Sequence, residues 1–212
     1  MHKHNLSVQK TASVYSKGDL QTASEVWIVL HGYAQLASTF IESFDAIAVE
    51  GRAIVAPEGL HRFYRKGFYG DVVASWMTKE DRLNDIQDYV AYLNKIVETF
   101  TQPGQNITLF GFSQGVATAC RWLADGNIQP NQLVLWAGTF PQDIDLKRTS
   151  KKMESMRCYL AFDESDPFRN EASWQKQLSF IDKIGVNPVQ FRFDGGHSVP
   201  TEALSAFTKQ YF

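Results

Sequence analysis

Apolar residues in this chain follow two rhythms. Short continuous runs have the length and composition of strands buried on both faces of a parallel sheet: Val26-Trp-Ile-Val-Leu30, Ala53-Ile-Val-Ala56, Ile107-Thr-Leu-Phe110, Leu133-Val-Leu-Trp-Ala137 and Cys158-Tyr-Leu-Ala-Phe162. Between them lie stretches with helical spacing. Phe40, Phe44 and Ile47 share a stripe of residues 36–50, and Leu83, Ile86, Val90, Leu93 and Val97 share a stripe of a longer helix that Pro103-Gly104 ends. Further helices are predicted after Gly115 up to Gly126, from about residue 171 to Gly185, and around Leu204 and Phe207. Residues 189–193 alternate as an edge strand does, and residues 6–15 have loose strand character before the Lys17-Gly-Asp19 turn. Strand and helix in alternation predict an α/β domain over residues 1–212: a mostly parallel sheet, helices on both faces and no large lid domain.

Two stretches lack either rhythm. Residues 142–154 read as a polar connection, and residues 57–79 as a long loop carrying Phe63, Tyr64, Phe68, Tyr69 and Trp76 among Gly59, Gly67 and Gly70. Aromatics at that density argue against disorder, so the loop is expected to wall a pocket or to pack down on the core. Arg62, Arg65 and Lys66 within it either meet an acidic substrate or face solvent. Thr78 and Asp81 have the spacing of a capping box before the long helix, with Glu80 and Asp81 in its acidic first turn.

Composition narrows the function classes. A formal net charge of −2 supplies no field to recruit nucleic acid or an anionic membrane. The N-terminal Met1-His-Lys-His-Asn-Leu has no apolar signal core, and no run has the length of a membrane span, so a cytoplasmic location is expected. Cys120 and Cys158 read as buried free thiols in a reducing compartment. Their spacing suggests no zinc site, and neither a metal nor an organic cofactor is expected.

The chemistry is concentrated at strand ends. Ile107 to Phe110 runs into Gly111-Phe-Ser-Gln-Gly115 and then a helix, the context in which a Gly-x-Ser-x-Gly string puts a strained serine at the tip of a strand-to-helix turn. Ser113 is then a candidate nucleophile beside the Gln114 amide; the plainer reading makes it a helix cap. Asp163 and Asp166 follow the strand at Cys158, and His197 follows the strand at Val189, which puts serine, acid and histidine at the carboxyl ends of three strands, where open parallel sheets bind ligands. The order Ser, Asp, His is that of α/β-hydrolases. Pro167 stiffens the turn after Asp166 and favours it as the acid, with Asp163 and Asp194 as rivals.

Leu30-His-Gly-Tyr33, Ser75-Trp76, Gly111-Phe-Ser-Gln-Gly115, Asp166-Pro167 and Gly195-Gly-His-Ser198 together resemble the phospholipase/carboxylesterase family, the group of acyl-protein thioesterases and small carboxylesterases. The resemblance implies Ser113 as nucleophile, His197 as base, Asp166 as orienting acid, and the backbone N–H groups of Tyr33 and Gln114 as oxyanion donors. The chain departs from the family pattern at His31-Gly-Tyr-Ala-Gln35, where His-Gly-x-Gly-Asp is usual, at Val116, and at Phe168-Arg169 after Asp-Pro. His31 is expected to hold its loop, and His61 has no evident partner.

The expected activity is hydrolysis of a small-molecule carboxylic ester or thioester through an acyl-enzyme, with Trp76, Phe140 and Phe168 contacting substrate. The alternatives are an idle hydrolase scaffold that binds a small molecule, and an amidase or peptidase on the same three residues.

Overall fold

The computed structural model describes residues 1–212. Seven strands form one sheet: β1 (Val14–Lys17), β2 (Glu25–Leu30), β3 (Arg52–Pro57), β6 (Asn106–Phe112), β7 (Gln132–Trp136), β8 (Arg157–Phe162) and β9 (Val189–Arg192). A separate hairpin joins β4 (His61–Lys66) to β5 (Tyr69–Ser75). The sheet order is β1-β3-β2-β6-β7-β8-β9, with β1 antiparallel to β3 and every other neighbour parallel. The helices are α1 (Ala37–Phe40), which runs on as a 3-10 segment over Ile41–Ile47, α2 (Arg82–Phe100), α3 (Gln114–Asp125), α4 (Leu146–Met153), α5 (Glu171–Ile184) and α6 (Thr201–Tyr211).

Successive side chains of a strand point to opposite faces, and here both faces are covered. Ile28 and Leu30 of β2 pack with Tyr89, Leu93, Trp122 and Ile181 from α2, α3 and α5, while Trp27 and Val29 pack with Phe44 and with Leu204 and Phe207 of α6. Two-sided burial is why the strands read as unbroken apolar runs. The large rings satisfy their polar edges: Trp122 Nε1 donates to Asn94 Oδ1 at 2.9 Å, and Trp136 Nε1 to Ser198 O at 2.9 Å. The second bond ties the loop after β9 to the middle of the sheet.

Several elements depart from the sequence pattern. Residues 57–79 contain the β4–β5 hairpin, whose turn is made by Gly67 and Gly70 at φ +75° and +93° and whose Phe68 and Tyr69 are exposed. Within residues 142–154, α4 forms although only Thr149 and Met153 are buried; Asp145 caps it by accepting the Arg148 N–H at 3.0 Å. The capping box expected at Thr78 and Asp81 is absent. Asp81 takes a left-handed φ of 49° at the N-cap, and Asp85 in the first turn accepts the Thr78 N–H at 3.0 Å. The stretch 36–50 keeps its apolar stripe but winds mostly as 3-10 helix, and the N-terminal edge strand begins later than expected, at Val14. No helix is long and apolar enough to cross a membrane.

Candidate active site

β6 ends at Phe112, and α3 begins at Gln114. Ser113 between them has φ 53° and ψ −115°, a conformation that costs a non-glycine residue of order 1–3 kcal/mol, and its side chain makes no capping bond to the helix. The cap reading therefore fails. The turn is this tight only because its flanks lack side chains: a Cβ on Gly115 would stand 2.2 Å from Leu30 O, and one on Gly111 2.5 Å from Gly115 O. The sheet ladder continues past the strand ends through Ser113 N–H to Trp136 O and Ala137 N–H to Ala161 O, which lines up the carboxyl ends of β6, β7 and β8.

The serine meets His197, 84 residues away, with Oγ 2.8 Å from Nε2. On the other side of the ring, Nδ1 lies 2.7 Å from Asp166 Oδ2. Asp166 is 6% exposed, and its second oxygen accepts the Phe168 N–H at 2.8 Å, which fixes the carboxylate plane. With Nδ1–H directed at that carboxylate, Nε2 is left to accept the serine hydrogen. Asp163 does something else. Its buried carboxylate accepts amide hydrogens from Gly195 and Gly196 and both the N–H and O–H of Ser165. These bonds, the Gly196 amide foremost, hold its carboxyl well below the usual carboxylate range. Asp163 braces the turn that presents His197. Asp194 takes no part in either contact.

The loop after β2 approaches from the other side. The Tyr33 N–H has no acceptor within the protein, and the Gln114 N–H, first in α3, has none within its helix. The unusual Ala34-Gln35 is accommodated: Ala34 adopts φ 59°, where glycine is the easier residue, and Gln35 Oε1 accepts the Gly32 N–H at 2.7 Å. The hairpin clamps this loop through Ala34 N–H to Ala74 O, Ala74 N–H to Gln35 O, and Arg65 to Ala34 O. His31 is fully buried; its Nε2 accepts the Gly59 N–H and its Nδ1–H donates to Gly32 O, while burial pushes its imidazolium below the usual range. It is a neutral brace. Gln114 is held by its side chain, which bonds Ser75, Trp76 N–H and Met77 O.

A cavity of about 500 Å³ opens beside Ser113, lined among others by Tyr33, Gln114, Phe168, Arg169, Trp174 and Gln177. Phe168, 74% exposed, packs its ring 4.6 Å from that of His197 at the rim. Two expected contacts lie elsewhere. Trp76 is fully buried, its ring 5.0 Å from that of His31 and its Nε1 donating to His31 O, because the chain leaving β5 turns it into the core and away from the cavity. Phe140 packs on Phe180 and lines a smaller recess of about 90 Å³. No residue of 57–79 lines the cavity; the hairpin acts at one remove, through the Tyr33 loop and the contact of Phe63 with the Tyr33 ring. Arg62 pairs with Glu58, and His61 with Asp85, so neither faces the site. Instead the wall comes from the end of β8 and the first turns of α5, through Phe162, Arg169, Trp174 and Gln177. Their position just beyond a strand's carboxyl end was the one available signal in the sequence. No cluster of three or more His, Cys, Asp or Glu side chains is placed to hold a metal ion.

A model of the family described as "Serine hydrolase (FSH1)" matches residues 24–208. Among solved structures, acyl-protein thioesterase 2 of Zea mays superposes with a TM-score of 0.74 at 15% identity, covering 94% of this chain and 97% of that one. A carboxylesterase of Bacillus cereus gives 0.68 at 13% identity, with 94% and 93% covered. A phospholipase/carboxylesterase of Dyadobacter fermentans gives 0.65 at 15%, with 97% and 98% covered. A search of curated protein sequences found no significant match. At these identities the solved structures share the α/β-hydrolase fold with this chain.

Proposed function

The chain belongs to the serine hydrolase (FSH1) family, and we propose that it cleaves carboxylic esters or thioesters through an acyl-enzyme on Ser113. The observation that carries this reading is the relay from Ser113 Oγ to His197 Nε2 at 2.8 Å and from Nδ1 to Asp166 Oδ2 at 2.7 Å, next to a Tyr33 amide that no protein group accepts from. His197 takes the hydroxyl proton as Oγ attacks the acyl carbon. The negative charge that develops on the carbonyl oxygen is met by the N–H groups of Tyr33 and Gln114, which are already fixed and need no reorganisation. Asp166 stabilises the imidazolium, which then protonates the departing alcohol or thiol. A water deprotonated by the same imidazole attacks the acyl-enzyme, the acid leaves, and Ser113 recovers its proton. Residues 1–212 serve as one hydrolase domain in this reading, and two buried free cysteines support a reducing, cytoplasmic setting.

The test is labelling by a fluorophosphonate probe together with turnover of short p-nitrophenyl esters. Wild type is expected to react, and Ser113→Ala and His197→Ala to lose about 10⁴-fold or more in kcat with labelling abolished in the serine variant. A folded wild type that neither labels nor turns over would make the chain a binding scaffold. Faster turnover of matched anilides would make it an amidase.

A further inference from the structure

The cavity beside Ser113 contains a cation without an anionic partner and an amide without a hydrogen-bond partner. Asp166 and Arg169 are the charged side chains in its wall, and Asp166 is engaged by His197. Arg169 makes no ion pair: its guanidinium carbon lies over the Trp174 ring, 4.4 Å from the centroid, and over that of Phe162 at 5.2 Å, and its buried Nε has no partner. Gln177, 4% exposed on the same wall, has neither its Nε2 nor its Oε1 hydrogen-bonded. Glutamine buried with both polar atoms unpaired destabilises a fold unless something completes it. The nearby acids are committed elsewhere: Glu164 pairs with Arg192, Glu171 bonds Gln175, and Asp163 holds the glycine turn.

We infer that the substrate carries a carboxylate besides the bond that is cleaved, received by the Arg169 guanidinium and the Gln177 amide. One planar guanidinium held over aromatic faces matches one carboxylate, since the fork geometry is preset and the rings hold the cation in place in the wall. A phosphate dianion would need more positive charge than this wall offers. Gln177 Nε2 donates to the carboxylate, while Oε1 accepts from a water or hydroxyl that arrives with it. The inference rests on Ser113 being the nucleophile, and it leaves two places for the charge, the acyl half or the leaving alcohol.

Two matched pairs of esters distinguish them. Monomethyl glutarate against methyl 5-methylhexanoate puts the carboxylate, or an isopropyl group of like shape, on the acyl half. 3-(Butanoyloxy)propanoate against 3-methylbutyl butanoate does the same on the alcohol half. In one arm, wild type is expected to prefer the charged ester by about tenfold or more in kcat/KM, carried mainly by KM. Arg169→Met should reduce that preference, read as the ratio of kcat/KM for the charged ester to that for its neutral match, to about twofold or less, Arg169→Lys should fall between, and Gln177→Leu should lose part of it. No preference in either arm while neutral esters are turned over overturns the inference, as does a preference that survives Arg169→Met. Calorimetry with glutarate on Ser113→Ala reads the same site without turnover. Binding at about millimolar concentration or below that Arg169→Met removes supports the inference, and no binding there counts against it. Loss of all turnover and of probe labelling in wild type would indict the role of Ser113 instead.

Discussion

Asp163 and Asp166 are both buried, three residues apart on one loop, and their oxygens answer to different masters. Asp166 gives one oxygen to His197 and one to the Phe168 amide, whereas Asp163 is filled by Ser165 and the Gly195 and Gly196 amides. Asp166→Asn should leave the fold intact and lower kcat by about 10⁴-fold, since an amide in that place favours the wrong imidazole tautomer. Asp163→Asn should act on stability and on the His197 turn. Its folded carboxyl is depressed below the unfolded value of about 3.9, so the ionised group stabilises the fold at pH values above that and the contribution fades as pH falls through and below it. The thermal midpoint of Asp163→Asn is therefore expected below that of wild type at pH 7, with the gap narrowing as pH falls below about 4; a gap constant with pH would show that ionisation of Asp163 contributes nothing. Sequence alone favoured Asp166 through Pro167 but left the two in competition. What separates them is which groups of a loop some thirty residues downstream meet each carboxylate, the Gly195 and Gly196 amides at Asp163 and the His197 ring at Asp166.

The serine turn was legible because its requirements are local: a strand run, a strained residue, and glycines where a Cβ would strike backbone. Gly115→Ala should fail to accumulate as folded protein or lose more than about 3 kcal/mol, because the obstructing atom is the Leu30 carbonyl of a central strand. Gly67→Ala, at φ +75° with nothing within 4 Å of its Cβ, should cost only about 1–2 kcal/mol, so chemical denaturation of the pair separates steric obstruction from backbone strain. The hairpin and α4 were not legible for the opposite reason. A ribbon such as β4, with its side chains largely solvated, and a helix burying only Thr149 and Met153, have little burial to impose a period. In the proposed mechanism the hairpin still matters, since it and Gln35 hold the loop that carries the Tyr33 amide. Gln35→Ala, which frees Gly32 N–H, should lower kcat by about tenfold to a hundredfold with KM little changed, approaching the effect of losing one oxyanion donor.

At the scale of the whole molecule, the sheet divides two apolar layers, and both cysteines lie in the layer formed with α2 to α5. Burial pushes the Cys158 thiol up to about 12 and Cys120 well above its usual value, so neither forms a thiolate at pH 8 in the folded state. Thiol reagents at pH 8 should leave native protein unlabelled and modify two groups only as denaturant unfolds the sheet; rapid labelling of the native state would contradict this packing. The sequence by itself determined the alternation of strand and helix, the serine turn, and the order of serine, acid and histidine, because periodic burial and backbone sterics are written into neighbouring residues. Only tertiary structure decided which acid reaches His197, and that the cavity wall is Arg169, Trp174 and Gln177 in place of Trp76 and Phe140. An aromatic ring gains the same hydrophobic stabilisation from a core as from a cavity wall, so its identity along the chain does not say which it faces; the packing of α5 beyond the end of β8 does.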